Sequence, residues 1–338
     1  MAREIQQRKD YLKGEVVETI YFGGGTPSLL NEQELHSLFG TLREHFDIDP
    51  HAEITLEANP DDLSKEKLET FKSFGINRLS IGIQSFHEDD LRLMNRAHSA
   101  HESHQAIQLA KTTGFDNITI DLMYGLPYGN GAFWEQNIRT VIDYNIPHIS
   151  CYTLMVEEKT KLHHDLKTGK IKLPDEKEVE QQFMLLRKKL LPKYTHYEIS
   201  NFCLPGHESK HNSAYWAGKN YLGIGPGAHS FDGKSRQWNI RNNPQYIKAM
   251  EDNTLFYEEE ILTRENKFNE LVLTGIRTAK GIALNKLSTV ASEDELSSFL
   301  EKVAVYEQRK LLKKEKEHVF LTEDAVLISD HIAGDLFI

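Results

Sequence analysis

The 338-residue sequence predicts an α/β fold, a parallel sheet with crossover helices, followed by a small α+β unit. Three observations predict it. Five β-like runs recur: "VETIYF" (17–22), "AEITLEA" (52–58), "RLSIGIQ" (78–84), "NITIDLMYG" (117–125) and "HISCYTL" (148–154). Amphipathic stretches such as "NEQELHSLFGTLREHF" and "SKEKLETFKSFG" separate them at a period of about 25–40 residues, the length of a βα unit. Residues able to do chemistry fall where the runs end, at Gly23 to Thr26, Glu57 to Pro60, Gln84, and Asp121 to Pro127. Open and closed parallel folds both carry their sites at those strand ends.

Composition sets the class. Hydrophobic residues make up 39% of the chain and charged residues 27%, an ordinary globular balance. The net charge of −11 excludes bulk nucleic-acid binding, which needs a basic face. No apolar stretch reaches the roughly 18 residues of a membrane span, and no signal peptide opens the chain. Cys151 and Cys203 cannot build a disulfide framework, so the expected location is the cytoplasm.

The opening "MAREIQQRKDYLKGE" reads as a helix with Ile5, Tyr11 and Leu12 apolar and Gly14 as its stop. No capping residue or strand leads into it, as if the chain began inside an element. In the first strand Ile20 and Phe22 share one face, while Val17, Thr19 and Tyr21 share the other. With no strand ahead of it, this run is expected to be a sheet edge able to pair with another chain, leaving Ile5 and Leu12 without cover. It leads into Gly23-Gly24-Gly25, a run costly in backbone entropy. The spacing matches neither nucleotide-binding glycine motif, which leaves a plain turn or a loop that grips an amino-acid head group through its N–H and C=O groups.

Glu57, in "ITLEANP", ends the second strand with a carboxylate. Gln84 and Asp121 hold equivalent places on the next two, and three such residues beside a glycine loop read as an active-site mouth. His98, His101 and His104 in "HSAHESHQ" read as a solvated helix face rather than a metal site. "PDEKEVEQQFMLLRKKLLPK" is a helix with Pro174 near its start, whereas "THYEISNFCLPGHESKHNSAYWAGKNYLGIGPGAHSF" reads as neither helix nor regular strand. Its "HESKH" matches HExxH, but Pro205-Gly206 before it and "HNSAYW" after it argue against the helix that a zinc protease needs. From about residue 262, helical runs (264–279 and 292–314) lead to "HVFLTEDAVLISD", a hairpin turning at "TEDA". Together they suggest a winged-helix-like packing module.

"YFGGGTPSLL", "EITLEANPDDL", "INRLSIGIQSF", "LMNRAHSA" and "ITIDLMYGLP" together resemble the oxygen-independent coproporphyrinogen III oxidase-like family of radical S-adenosylmethionine (SAM) proteins. "KHNSAYWAGKNYLGIGPGAHSF" resembles that family's HemW branch, which are heme chaperones. The resemblance implies an incomplete (β/α) radical SAM barrel over residues 1–260, missing its first strand, and a HemN-type domain over 261–338. It implies a heme chaperone that binds heme and SAM, with a [4Fe–4S] cluster in the intact protein and heme-acceptor proteins as partners. A porphyrin-forming oxidase and a cluster-free SAM- or heme-binding module are the alternatives. By the same resemblance Gly24, Gly25 and Thr26 would line the methionine end of SAM, Glu57 would bind it, and Gln84, Arg96 and Asp121 would line the cavity above. Arg96 also suits a porphyrin propionate. His211, Asn212, Tyr215 and Trp216 of HNxxYW would contact the tetrapyrrole. The family holds its cluster through CxxxCxxC, and Cys151 and Cys203 do not supply three thiolates, so no metal ligand and no catalytic residue is assigned. The motif belongs upstream of Met1, and the chain reads as shortened rather than as a natural cluster-free relative.

Overall fold

The computed structural model describes all 338 residues apart from the side chain of Asn130. In chain order the elements begin α1 (Ala2–Gln7), β1 (Val17–Phe22), α2 (Glu32–His45), β2 (Ile48–Ala58), α3 (Lys65–Ser73), β3 (Arg78–Gln84), α4 (Glu88–Leu93), α5 (Ala100–Thr112), β4 (Asn117–Tyr124), α6 (Ala132–Asp143) and β5 (His148–Thr153). There follow α7 (Lys161–Lys167), α8 (Glu176–Leu190), β6 (Thr195–Glu198), β7 (Asn201–Cys203), α9 (Lys210–Trp216), β8 (His229–Phe231), β9 (Ser235–Asn239), α10 (Asn243–Glu251) and β10 (Tyr257–Ile261). The chain closes with α11 (Arg264–Ile276), β11 (Ile282–Ala283), α12 (Leu284–Leu287), α13 (Glu293–Gln308), β12 (Leu312–Glu315), β13 (His318–Leu321) and α14 (Ser329–Leu336).

Seven strands form the large sheet in the order β1-β2-β3-β4-β5-β7-β6, with β1 at one edge. Strands β2 to β5 pair in parallel, and β7 and β6 follow antiparallel. This curled parallel half-barrel has the architecture of the incomplete (β/α) barrel that the sequence predicts.

Alternation along the strands sorts the two faces. Leu56, Leu79, Ile81, Ile118, Ile120 and Ile149 are wholly buried on one face, each worth about 1.5–3 kcal/mol of burial. The helices turn apolar stripes inward: Leu68 and Phe71 of α3, Ala106, Ile107 and Ala110 of α5, Ile138 and Val141 of α6, and Phe183, Leu186 and Leu190 of α8. Capping boxes start α5 (Ser99 with Glu102) and α8 (Asp175 with Glu178).

The other face is polar. It carries Glu53, Thr55 and Glu57 of β2, Arg78, Ser80 and Gly82 of β3, Asn117, Thr119 and Asp121 of β4, and His148, Ser150 and Tyr152 of β5. Buried polar groups are costly unless paired, and several of these pair with one another, while the Thr55 hydroxyl is buried without a partner. Arg78 Nη1 donates to Asn117 Oδ1 at 2.6 Å and Nη2 to Thr119 Oγ1. His148 meets the Thr119 hydroxyl through Nδ1 at 3.2 Å and the Tyr197 hydroxyl through Nε2 at 2.8 Å. Burial, then the Arg78 charge, holds the His148 imidazole neutral, its pKa well below the usual value.

The chain divides into two compact units, residues 19–32 with 53–209, and residues 1–18, 33–52 and 210–338. Within the second unit, β10-β9-β8 and β11-β13-β12 form two small sheets. Phe268, Val272 and Ile276 of α11, Phe299 and Val303 of α13, Val319 of β13, and Ile332 and Leu336 of α14 share one buried core.

Several expectations are corrected. Helix α1 ends at Gln7, and turns with positive φ at Lys13 and Gly14 follow. Ile5 is buried at 2% exposure rather than left without cover, because α1 docks within its own unit. "THYEISNFC" forms β6 and β7, too short for a periodic signal and paired with each other and with β5. His98 is buried and precedes α5; its Nε2 meets Ile83 O at 3.1 Å, so the three histidines share no solvated face. The C-terminal hairpin turns at Lys316-Glu317, where Lys316 takes a positive φ, and "TEDA" opens a 3-10 turn leading into α14. HNSAYW, read as non-helical, forms helix α9 from Lys210 to Trp216, which begins after His207 and Glu208 of HExxH.

α1 is anchored by a buried carboxylate. Glu4, 1% exposed, accepts from Asn239 Nδ2 (2.6 Å), Tyr246 Oη (2.6 Å) and Gly225 N (2.8 Å). Arg8, 5% exposed, lies 3.7 Å from Glu4 and donates to Gln237 Oε1 at 2.5 Å. Removing one member of a buried pair strands the other, so Glu4→Ala is expected to lower the unfolding free energy by about 3–5 kcal/mol. Urea unfolding measures it, and a loss as small as that of a surface pair, about 1 kcal/mol or less, would contradict the anchoring role.

Candidate functional site

At the end of β1, Gly24 and Gly25 take φ of +75° and +66°. Nothing lies where their Cβ atoms would sit, so the left-handed backbone, not crowding, requires glycine. The loop is tied to β2 through one carboxylate. Gly24 N donates to Glu57 Oε2 at 3.0 Å, and the Tyr21 hydroxyl donates to Glu57 Oε1 at 2.7 Å. Burial, with the Glu57 charge, pushes the Tyr21 phenol well above its usual pKa, keeping it a donor. Thr26 leads into the short turn Pro27–Leu29, with no side-chain capping bond. Beyond it, Ser28 Oγ donates to Asp62 Oδ2 at 2.7 Å, and Lys67 Nζ donates to Ser28 O at 2.9 Å.

At the end of β3 the ladder to β4 shifts register between Ile81 and Gln84, and Gln84 takes a φ of +67°. Such a bulge re-aims a side chain. A Cβ at Gly82 would lie 3.3 Å from Arg96 Nη2 and 3.4 Å from Gln84 Nε2, so both side chains lie over that glycine. Arg96 Nη2 donates to Asn59 Oδ1 at 2.7 Å and to Gly82 O at 3.1 Å, while its Nε is buried without a partner.

Asp121 stands on β4 opposite Ser150. Burial first, and the negative charge of Glu57 second, push its carboxyl up to about 7, against a Ser150 hydrogen bond and the charges of Arg78 and Arg96. The polar face thus offers one group that exchanges a proton near neutrality.

Gly24, Gly25, Thr26, Glu57, Gln84, Arg96 and Asp121 all fall in the unit of residues 19–32 and 53–209. Direct bonds join Gly24 to Glu57, Arg96 and Gln84 meet over Gly82, and charge links Asp121 to Glu57 and Arg96. His211, Asn212, Tyr215 and Trp216 lie on α9 in the other unit. There the His211 and Tyr215 rings meet edge-on at 4.8 Å, Tyr215 and Tyr221 at 4.5 Å, and Phe231 follows at 6.0 Å from Tyr221. Tyr215 is 43% exposed. Sequence reasoning missed Tyr21, Asn59, Gly82, Arg78 and Ser150. Alternation could have found four of them, since Gly82 and Arg78 share the face of Ser80, Ser150 that of Asp121, and Tyr21 lies on the Thr19 face.

Cys151 and Cys203 are both buried and unbridged, and burial pushes the Cys203 thiol up to about 12. Among the described residues no group of three His, Cys, Asp or Glu side chains is placed to hold a metal ion. No helix among them is long and apolar enough to cross a membrane.

Comparison with known proteins adds ancestry. The radical SAM superfamily profile matches residues 2–141 and that of the HemN C-terminal domain matches residues 262–328. The heme chaperone HemW of Lactococcus lactis is 31% identical over 319 residues, 94% of this chain and 84% of that one. HemW of Bacillus subtilis is 32% identical over 324 residues, 94% of this chain and 85% of that one. Among solved structures, coproporphyrinogen III oxidase (HemN) from Escherichia coli, a radical SAM enzyme, superposes with a TM-score of 0.84 at 22% identity, over 99% of this chain and 81% of that one. At that identity the likeness is one of fold.

Asp121 gives a pH signature. Its folded pKa of about 7 lies above the ordinary value, so the folded chain holds the extra proton and stability falls as pH rises from about 4 toward 7. Asp121→Asn removes that loss. Its urea midpoint should match that of the unaltered chain at about pH 4 and exceed it increasingly up to about pH 8. A difference that does not change with pH would contradict the raised pKa.

Proposed function

The chain belongs to the HemW family of radical SAM proteins, and from that premise we propose that it is a heme chaperone that binds heme and SAM. The observation that carries this is the relation to HemW chains over 94% of its length. Geometry supports the residue roles. For SAM, the C=O groups of Gly24, Gly25 and Thr26 and the N–H groups of Gly25 and Thr26 would meet an amino-acid head group, the Gly24 N–H being held by Glu57, and Glu57 would supply a carboxylate to an ammonium or a ribose hydroxyl. The fit rests on open space over two left-handed glycines beside a partly buried carboxylate. Gln84, Arg96 and Asp121 line the same face above them. When bound, SAM supplies an activated sulfonium centre. For heme, His211 offers an imidazole, with Asn212, Tyr215 and Trp216 beside it on α9.

The family's [4Fe–4S] cluster does not fit this chain's residues. Two buried thiols cannot replace three clustered thiolates. A second reading, for these residues alone, is a module that holds SAM and heme. The family relation supports a further proposal, delivery to heme-acceptor proteins, while composition and topology support action in the cytoplasm, a packing role for a domain over residues 261–338, and self-association through the β1 edge.

Hemin titration tests the heme role. A shift of the Soret band is expected, weakened about tenfold in His211→Ala, the loss of one strong contact; unchanged affinity and spectrum would remove His211 from the site. Anaerobic reconstitution with iron and sulfide should give no stoichiometric cluster, and about four irons per chain with iron–sulfur absorption would overturn that.

A further inference from the structure

Gln84 stands in a backbone conformation that its own residue type does not favour. Its φ is +67°, and Ser85 N donates to Ile83 O at 2.8 Å, a bond that spans two residues with Gln84 at its centre. A γ-turn of positive φ is rare and strained, and such strain persists only where the surroundings over-determine it. The turn must therefore be held from outside.

Buried side chains hold it on both flanks. On one side, the Ile83 carbonyl that accepts from Ser85 N also meets His98 Nε2 at 3.1 Å. On the other, the Ser85 hydroxyl uses its full bonding capacity. It donates to Asp90 Oδ2 at 2.7 Å and accepts from Asn137 Nδ2 at 3.0 Å and from His87 N at 3.2 Å. Asn137 Oδ1 in turn accepts from Phe86 N at 2.9 Å. Asp90 belongs to α4 and Asn137 to α6, so two helices grip the residues that follow Gln84. Ser85, Asp90, Asn137 and His98 are all buried and lie in the same unit as Gln84.

This grip is costly. Asp90 Oδ1 is buried without a partner, and burial raises the carboxyl above its ordinary pKa. Apolar groups of the same shape would fill the space without that penalty, so packing alone does not account for the carboxylate. What the grip fixes is the aim of Gln84, whose Nε2 lies over Gly82 beside Arg96 Nη2. Helix α4 sets Arg96 as well, since Arg96 N donates to Leu91 O at 2.9 Å.

We propose that Asp90 and Asn137, through Ser85, and His98, through the Ile83 carbonyl, are positioning residues that hold Gln84 toward SAM; this rests on the SAM-binding reading above.

The test is a double-mutant cycle read by isothermal titration of SAM into the full chain, with circular dichroism checking each fold. Gln84→Ala and Asp90→Ala should each bind SAM about tenfold more weakly, the loss of one good contact. Asp90→Asn keeps an oxygen for the Ser85 hydroxyl and should restore the affinity. In the Gln84→Ala background Asp90→Ala should cost nothing further, because the residue acts only through Gln84. A merely structural Asp90 would weaken binding by the same factor in both backgrounds, and that result overturns the proposal. So does an Asp90→Ala or a Gln84→Ala chain that binds SAM as the unaltered one does, and in both cases the SAM-binding reading stands. Should Asp90→Ala not fold, Asn137→Ala runs through the same cycle with the same expectations. If the unaltered chain binds no SAM, the SAM-binding reading falls and the positioning role falls with it.

Discussion

The Glu57 carboxylate holds the candidate SAM site in shape. One oxygen takes the Tyr21 hydroxyl and the other takes the Gly24 N–H, which joins the end of β1, the glycine loop and β2 at a single group. Two successive left-handed glycines are entropically expensive to fix. A charge-assisted bond to the first is stronger than a neutral one and offsets part of that cost. The Glu57 charge also reaches Asp121, whose carboxyl rises toward neutrality for that reason as well as burial. Arg96, held by Asn59 and the Gly82 carbonyl, limits the negative charge that the two acids accumulate.

This arrangement needs a parallel sheet with one polar face. Parallel sheets are commonly apolar on both sides. Here Glu, Arg, Asp and His occupy alternate positions of β2 to β5, and the deeper ones satisfy each other along Arg78, Thr119, His148 and Tyr197. The groups at the strand ends lie beyond this chain of bonds, on the side where a ligand would meet them. Heme, by contrast, is proposed to meet groups on α9, where Tyr215 is 43% exposed.

Legibility in the sequence followed the strength of the local signal. β1 and β3 appear with the bounds read from the sequence, because β-branched and apolar residues crowd each run and turn residues end it. Glu57, Gln84 and Asp121 were legible because a polar residue at the end of an apolar run is conspicuous. What stayed hidden depends on distant partners. β6 and β7 are 4 and 3 residues long and are defined by pairing to β5. His98 resembles its neighbours on a helix but turns inward to a carbonyl of β3. Glu4 and Arg8 look like solvated helix charges, and only residues more than two hundred positions away make their burial tolerable.

Isothermal titration of SAM into the unaltered chain and Glu57→Ala tests the role of that carboxylate most directly. The unaltered chain should bind one SAM. Glu57→Ala should bind at least about tenfold more weakly, the cost of losing one charged contact and the loop it holds. Equal affinity in the two proteins, with the fold intact, would contradict the assignment of Glu57 and its glycine loop to the SAM site.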